Sequence, residues 1–306
     1  MKSAKYVIAD VFTNKQFGGN QLAVFIDAQG IDAELMQDIA REINYSETTF
    51  LLPPKAGGDR QVRIFTPARE LPFAGHPLVG SGYVVVSEHM KDWSTPTTHV
   101  TLETGVGMIP VSVRTENGLA GETTMTQPLP EIRGTVEDVG AVEAVLGVPA
   151  GEIEGTNLPV QRLYNGLTVL IAPIKSLSAV QNMKPDFSAL ERLAASNGAE
   201  TILTFTLETV LGDSSAHCRV FAPAAGVLED AATGSANGPL GFYLVHHKVA
   251  RVAEGLAVIV SEQGFEMKRP SILNIGVTVE PASTRPSAVR VGGGVVISGR
   301  GEILLS

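Results

Sequence analysis

Apolar and polar positions alternate along the first hundred residues with two different periods. Short runs that are rich in β-branched and aromatic residues predict strands. The clearest of these runs are residues 5–12, residues 21–27, ETTFLLP and QVRIFTP. In DAELMQDIAREIN the apolar residues recur at helical spacing, so residues 32–44 are predicted to form a helix with Asp32 as its N-cap. THVTLETGVGMIPVSV, residues 98–113, is typical of a β-hairpin, which makes the chain a mixture of strands and helices.

A longer apolar run follows the segment FTPARELPFAGH. Residues 77–89 are apolar on nearly all sides and form too long a run for a typical strand. Because a helix that is apolar all round is normally buried, these residues are predicted to form a buried helix. A lone histidine, His76, stands between Gly75 and Pro77, just before this helix. The sequence therefore places one polar side chain at the entrance to a buried element.

The middle of the chain predicts a further helix. TVEDVGAVEAVLGVP, residues 135–149, opens with the capping pair Thr135 and Asp138 and closes with Gly147 and Pro149. The segment TQPLPEIRG, which precedes it, carries two prolines and a glycine. We expect that segment to be a linker between domains.

Four segments of the first half return in the second half in the same order. GGNQLAVFI returns as LYNGLTVLI, VRIFTPA as CRVFAPA, AGHPLVGSGYVVV as TGSANGPLGFYLV, and ETGVGM as EQGFEM. Matched residues are separated by 145 to 159 positions, as for Asn20 with Asn165 and Gly75 with Gly234. Chance similarity of short apolar patterns is the alternative explanation. Four matches in one order favour a diverged internal duplication.

The duplication gives His76 a counterpart in the second half, because Ser235 occupies the matching position. In each copy a glycine and a polar residue lie at the N-terminus of a predicted buried helix. Backbone N–H groups and the helix dipole favour an anion at such a place without any Arg or Lys. We expect two such sites, facing each other across a domain cleft, to hold a small acidic molecule.

Composition narrows the class of partner. The 306 residues carry a formal net charge of -9 and no run of Lys or Arg, which argues against nucleic acid and anionic membranes as partners. The single cysteine, Cys218, excludes an intrachain disulfide and fits a reducing compartment. No apolar run reaches the roughly 18 residues of a membrane helix, and MKSAKYVIADVF lacks the pattern of a signal peptide. We expect a cytoplasmic protein that binds a small acidic substrate.

Five motifs together resemble the phenazine-biosynthesis isomerase (PhzF-like) family, which is related in fold to diaminopimelate epimerase. The motifs are DVFTNKQFGGNQLAVF, MQDIAREINYSETTFLL, VRIFTPARELPFAGHPLVGSG, EDAATGSANGPLGFYL and VGGGVVISGRGEI. The resemblance, which runs from residue 9 to residue 301, implies an α+β fold of two pseudo-repeated domains. Each domain would be a strongly curved, mostly antiparallel sheet wrapped around a central helix, with the active site between the domains.

The resemblance also implies where the domains divide. The N-terminal domain is expected to comprise residues 1–127 and 288–306, because the C-terminal strand returns to it after the stretch VEPASTRPS. Residues 128–287 would form the C-terminal domain. The same resemblance implies a homodimer that works without a cofactor. No His, Cys and Asp cluster has the spacing of a metal site, and the glycine-rich segments lack the spacing of a nucleotide loop.

Residue chemistry excludes one mechanism that the related fold uses. Cysteine-dependent epimerases place a thiol immediately before the motif glycine of each half. Ala74 and Thr233 occupy those positions here, so proton transfer between two thiols is impossible. Cys218 lies in the strand-like segment HCRVFAP and is expected to be a small core residue.

The resemblance instead makes Glu47, in the SETTF motif, the acid/base that removes a proton from carbon and returns it. It makes His76 and Asp230 further catalytic residues. The implied substrate-binding residues are Asn20, Gly75, Gly234, Ser235 and Ala236. Each polar member also has a structural explanation. Glu47 would be an exposed surface glutamate, and His76 a histidine hydrogen-bonded within its turn. Asp230 would complement a helix dipole, Ser235 would be an N-cap and Asn20 would hold a turn.

The expected activity is a cofactor-independent isomerisation of a small cyclic amino- or hydroxy-acid, with Glu47 moving a proton between carbons. The alternatives are a racemase or epimerase of a small acid, and a non-catalytic protein that binds such acids. Retention of Glu47, His76, Asp230 and Ser235 together speaks against the last. Leu78, Val79 and Ala231 depart from the usual pattern of the family and are expected to line the cleft, which leaves the substrate open.

Overall fold

The computed structural model describes residues 2–94, 96–117, 119–280 and 285–305. It divides into two compact units. Unit 1 consists of Met1–Thr126 and Gly292–Ser306, and unit 2 consists of Gln127–Val291. Residues 281–284 of the VEPASTRPS stretch lie outside the described residues.

Unit 1 combines strands from both ends of the chain with two helices. The strands are β1 (Lys2–Val11), β2 (Asn20–Phe25), β3 (Glu47–Leu52), β4 (Arg60–Phe65), β5 (Glu70–Leu71), β6 (Thr97–Thr104), β7 (Gly107–Glu116), β8 (Leu119–Gln127) and β18 (Val295–Leu305). The helices are α1 (Ala33–Ile43) and α2 (Gly75–Ser87). The strand order is β18-β1-β2-β3-β4-β6-β7-β8, with β5 beside β4. Only the β2–β3 and β4–β6 pairs of this series are parallel.

Unit 2 has the same arrangement of strands. They are β9 (Glu131–Val136), β10 (Val160–Tyr164), β11 (Thr168–Pro173), β12 (Thr201–Thr206), β13 (Ala216–Ala222), β14 (Val227–Asp230), β15 (Leu256–Gln263), β16 (Ser271–Val279) and β17 (Pro286–Gly293). The helices are α3 (Val139–Leu146), α4 (Leu177–Asn182), α5 (Phe187–Ser196) and α6 (Gly234–His246). The order β9-β10-β11-β12-β13-β15-β16, with parallel pairs at β11–β12 and β13–β15, repeats that of unit 1 strand by strand.

A buried helix lies at the centre of each unit. Helix α2 contacts β1, β2, β3, β4, β6 and β7, and helix α6 contacts β11, β15 and β16. Glycines let the strands approach closely, because a Cβ on Gly82 would lie 2.5 Å from Val111 Cγ1. A Cβ on Gly241, which is 159 positions later, would meet Ile275 Cγ2 at the same distance. The predicted α+β fold, with a curved sheet around a central helix in each half, is confirmed.

Helix α1 follows its predicted bounds closely. The side chain of Asp32 accepts a hydrogen bond from the backbone N–H of Leu35, as expected of an N-cap. Asn44 ends the helix in the left-handed conformation. Helix α2 begins at Gly75, two residues before the predicted start, so His76 and Pro77 lie in its first turn. Proline is tolerated there because the N–H groups of the first turn have no partner within the helix.

The predictions for the middle of the chain need correction. Thr135 lies in strand β9, opposite Gln161, and does not open a helix. Helix α3 begins after Asp138, which caps it, and ends at Gly147 in the left-handed conformation. TQPLPEIRG contains the boundary between the two units, after Thr126, but only its middle is a connection, because its start ends β8 and its last four residues begin β9. The two prolines lie in the three-residue connection between these strands, where their missing backbone N–H groups disrupt no strand pairing.

Candidate active site

Asn20 and Ser46 hold the side chain of His76 in unit 1. His76 is the second residue of α2 and is buried, with 3% of its surface exposed. The Nδ2 atom of Asn20, the first residue of β2, lies 3.1 Å from His76 Nδ1. Ser46, just before β3, donates a hydrogen bond from Oγ to Asn20 Oδ1 at 3.1 Å. Because this bond occupies the amide oxygen, the amide nitrogen of Asn20 is the atom turned towards the imidazole.

Burial decides the charge of this histidine. Removal from water lowers the pKa of His76 to about 3, although a backbone hydrogen bond with Gln21 acts in the opposite direction. The imidazole is therefore neutral near pH 7. A neutral ring can accept one hydrogen bond and donate another, which an imidazolium cannot do.

Glu47 lies beside this neutral ring. It is the first residue of β3, which pairs in parallel with β2 and places Glu47 opposite Leu22. Its Oε2 atom is 3.5 Å from His76 Nε2, slightly beyond ordinary hydrogen-bond distance. The Glu47 side chain is 14% exposed, compared with 3% for that of His76. A carboxylate with limited access to solvent, next to a neutral imidazole, is suited to taking up and returning a proton.

The candidates of unit 2 form a second group. Asp230 is the last residue of β14, and its Oδ2 atom accepts a hydrogen bond from Thr233 Oγ1 at 2.6 Å. Thr233 is the N-cap of α6, but its side chain makes no capping hydrogen bond. The first three residues of α6 are all buried; they are Gly234, Ser235 and Ala236. The Asp230 carboxylate is thus joined to the residue that precedes the helix.

The structure adds contacts at the start of α6 that the sequence analysis did not assign. Gln127 donates from Nε2 to Gly234 O at 2.7 Å, and its Oε1 accepts from Asn165 Nδ2 at 2.9 Å. Asn165 Nδ2 also lies 2.9 Å from Ser235 O. Asn20 and Asn165 therefore both contact the second residue of a central helix. Their match in the internal repeat was the available signal for this role.

The candidate residues accordingly fall within two groups. The structure brings Asn20, Glu47 and His76 together in unit 1, with Gly75 as the first residue of the same helix. One cleft prediction needs correction: Leu78 and Val79 are fully buried among core side chains and expose no surface to a ligand. Their helical position, one turn inside a buried element, was not visible from the motif alone.

The only cysteine is a core residue, as predicted. Cys218 is fully buried, and its Sγ lies 3.2 Å from Ser261 Oγ. Burial raises the pKa of the thiol to about 12, so the nucleophilic thiolate is not populated near pH 7. Ala74 and Thr233, at the positions of the epimerase thiols, are the N-cap residues of α2 and α6.

Neither a metal-binding cluster nor a membrane-spanning helix occurs among the described residues. None of their His, Cys, Asp and Glu side chains form a group of three or more that could hold a metal ion. Among the helices described, none combines the length and apolar character needed to cross a membrane.

Comparison with known proteins identifies the class to which the fold and these residues belong. The family model for "phenazine biosynthesis-like protein" matches residues 9–301. The chain is 36% identical over 301 residues to the trans-2,3-dihydro-3-hydroxyanthranilate isomerase of Pseudomonas chlororaphis, covering 98% of this chain and 99% of that protein. The chain therefore belongs to the phenazine biosynthesis-like family, and it is an isomerase.

Solved structures agree with this assignment. A PhzF-family phenazine biosynthesis protein of Bacillus anthracis superposes with a TM-score of 0.88 at 27% identity, covering 100% of both chains. A probable proline racemase of Agrobacterium radiobacter superposes with a TM-score of 0.70 at 13% identity, covering 99% of this chain and 93% of that one. The second similarity concerns the fold alone, which is diaminopimelate-epimerase-like.

Proposed function

We propose that this protein isomerises a small cyclic amino- or hydroxy-acid without a cofactor, and that Glu47 moves the proton. The observation that carries the proposal is the contact between Glu47 Oε2 and His76 Nε2, 3.5 Å apart at the start of a buried helix. The similarity to a trans-2,3-dihydro-3-hydroxyanthranilate isomerase makes a dihydro-hydroxyanthranilate the first substrate to test.

In the proposed reaction, the Glu47 carboxylate removes a proton from one carbon of the substrate. The resulting carboxylic acid returns a proton to another carbon, so the composition of the substrate does not change and no electrons leave it. Negative charge that develops on the substrate is stabilised by hydrogen bonding. Its potential donors are the neutral His76 ring and the N–H groups in the first turn of α2.

The surroundings of Glu47 support a role in proton transfer more than a structural role. Glu47 faces a histidine that is kept neutral by burial and oriented by Asn20. A neutral ring adds no positive charge beside Glu47, so it does not weaken the carboxylate as a base.

Asp230 and Ser235 are proposed to bind polar groups of the substrate. Asp230 has only about a tenth of its surface exposed, and Ser235 is buried in the first turn of α6. Both side chains are polar, and the N-terminus of α6 favours an acidic group nearby. Gly75, Gly234 and Ala236 contribute backbone at the starts of the two central helices.

A panel of small acids tests the proposal. Protein dialysed against EDTA is incubated with trans-2,3-dihydro-3-hydroxyanthranilate, proline and 4-hydroxyproline, and the products are followed by NMR. We expect isomerisation of the first compound, at least about 100-fold slower in Glu47→Gln. The matched control is Glu42→Gln, since Glu42 is an exposed glutamate of α1.

The outcomes separate the candidate activities. Inversion of proline or 4-hydroxyproline in place of isomerisation would make the protein a racemase or epimerase. Tight binding without turnover of any compound would make it a binding protein. Equal rates for Glu47→Gln and Glu42→Gln would remove Glu47 from the mechanism.

A further inference from the structure

A buried glutamine ties together the segment that carries Asp230. Gln263 is the last residue of β15 and is fully buried. Its Oε1 accepts hydrogen bonds from the backbone N of Thr233 at 3.1 Å and from Asn237 Nδ2 at 2.9 Å. Its Nε2 donates to the backbone O of Asp230 at 2.7 Å and to Thr233 Oγ1 at 3.0 Å. One side chain thus connects the end of β14 to the first turn of α6.

The backbone partners fix which way the amide of Gln263 points. A backbone N–H can only donate, so the atom opposite Thr233 N must be the oxygen. A carbonyl can only accept, so the atom opposite Asp230 O must be the nitrogen. The two assignments agree, which makes the NH2 group the partner of Thr233 Oγ1.

This donation sets the direction of the Thr233 hydroxyl. Because Oγ1 accepts from Gln263 Nε2, its single hydrogen is available for Asp230 Oδ2, which lies 2.6 Å away. That distance is typical of a hydroxyl that donates to a carboxylate. The hydroxyl is not used as a helix cap. The order of donation runs from Gln263 through Thr233 to Asp230.

We propose that Gln263 is a positioning residue, which fixes the direction of the Asp230 carboxylate through the Thr233 hydroxyl. The proposal rests on the proposed function, in which Asp230 binds the substrate. A carboxylate that is already oriented loses less entropy when it binds a polar group of the substrate, so its orientation affects the rate.

The repeated fold shows that the structure can be built without this amide. In unit 1 the positions that match Gln263 and Thr233 carry Thr104 and Ala74. Thr104 donates instead to Gly107 O within its own turn, at 2.8 Å. A helix of the same length begins at the same place in both units. Of the two units, only unit 2, which contains Asp230, therefore has the linked pair of Gln263 and Thr233.

Substitutions at Gln263 and Thr233 test the order of donation. Gln263→Glu keeps the shape but replaces the NH2 group by an oxygen, so the Thr233 hydroxyl would turn towards it and away from Asp230. Thr233→Val removes the hydroxyl, whereas Thr233→Ser keeps it. With trans-2,3-dihydro-3-hydroxyanthranilate as the probe, we expect kcat/KM to fall roughly 10-fold or more in Gln263→Glu and in Thr233→Val. Thr233→Ser should stay within about threefold of the original protein.

A double variant separates positioning from a merely structural role. If Gln263 acts through the hydroxyl, adding Thr233→Val to Gln263→Glu should cost little beyond either change alone. If the two substitutions acted independently on the structure, their losses of kcat/KM would multiply in the double variant. The control is Gln161→Glu, another buried glutamine of unit 2, whose Oε1 lies 2.8 Å from His247 Nε2. We expect it to change stability without this loss of rate.

The result that would overturn the inference differs from the one that would overturn the proposed function. Equal rates for the original protein and Glu47→Gln would contradict the proposed function. An active original protein, an inactive Glu47→Gln and a Gln263→Glu as fast as Gln161→Glu contradict the positioning role. If Gln263→Glu does not fold, the comparison of Thr233→Val with Thr233→Ser decides, because equal rates in these two variants overturn the role.

Discussion

Asn20 Nδ2 lies 3.1 Å from His76 Nδ1, although the two residues are 56 positions apart in the chain. The contact joins the first residue of β2 to the first turn of α2. It leaves the other ring nitrogen directed towards Glu47 Oε2, 3.5 Å away. The orientation of the His76 ring therefore depends on its contact with Asn20, and its neutral charge depends on its burial.

The first prediction concerns the charge of this imidazole. Asn20→Asp would place a carboxylate against Nδ1, which favours the protonated ring and raises the pKa of His76 above its original value of about 3. The imidazolium would form an ion pair with Glu47 and weaken it as a base, so kcat of Asn20→Asp should begin to fall at a higher pH than kcat of the original protein. NMR titration of His76 checks the cause.

Asn20→Ala is the matched control for this experiment, because it removes the same hydrogen bond without adding charge. Its His76 should remain neutral across the titration. A His76 ring in Asn20→Asp that titrates as in the original protein would contradict the electrostatic explanation.

Burial of a neutral histidine also predicts how stability depends on pH. The pKa of His76 is about 3 in the folded protein and about 6.5 when unfolded, so between these values only the unfolded chain binds the proton. The contribution of the buried, neutral His76 to the free energy of unfolding is complete above about pH 6.5 and is lost as the pH falls towards 3. Relative to His76→Gln, the free energy of unfolding should decrease by up to about 1.4 kcal/mol per pH unit in this window.

Urea unfolding at pH 7, 6, 5 and 4 measures this difference, and the other titrating groups cancel because both proteins contain them. Plots of the free energy of unfolding against pH that stay parallel for the original protein and His76→Gln would show that His76 is protonated in the folded state.

The cysteine is predicted to matter for stability only. Cys218 is fully buried with a thiol pKa of about 12, so iodoacetamide should not label the native protein. Cys218→Ser should lower the free energy of unfolding by roughly 1–2 kcal/mol and leave kcat unchanged. Labelling is followed by mass spectrometry beside the activity assay. A loss of activity that tracks labelling of Cys218 would contradict the prediction.

The packing of a central helix gives a prediction about the fold. A Cβ on Gly82 would lie 2.5 Å from Val111 Cγ1 and 3.1 Å from Val111 Cβ. Because Val111 is buried and stiff at its branched Cβ, Gly82→Ala should destabilise the protein by about 1–3 kcal/mol despite the helix propensity of alanine. Chemical unfolding measures the change.

Gly140→Ala provides the comparison for that variant. Gly140 is exposed in α3, and a Cβ there would meet only Asp138 Oδ1 at an ordinary 3.7 Å. Alanine should therefore stabilise the protein by up to about 1 kcal/mol at this position. A destabilisation of equal size in both variants would rule out close packing against β7 as the cause.

Local sequence patterns were sufficient to predict elements that depend on residues close together in the chain. Asp32 predicted the start of α1, and the apolar run after Pro77 predicted a buried helix. The internal repeat carried more information, since it anticipated the matching positions of His76 and Ser235 in the two central helices. These features depend on neighbours in sequence or on comparison of the two halves.

Features that depend on distant residues could not be predicted from the sequence. Thr135 has the composition of a helix opener, but pairing with Gln161 places it in a strand. Gln263 lies in a strand-like segment, and its four hydrogen bonds involve residues about 30 positions away. Tertiary contacts decide both positions, and the local pattern does not record them.

The most direct test of the central claim follows solvent deuterium into the product. Glu47 is partly exposed, so the proton that it removes can exchange with D2O before a proton is returned to carbon. With trans-2,3-dihydro-3-hydroxyanthranilate in D2O, the original protein and Glu42→Gln should form a product deuterated at carbon, whereas Glu47→Gln should form essentially none. Deuteration by Glu47→Gln at the rate of the original protein would show that another group moves the proton.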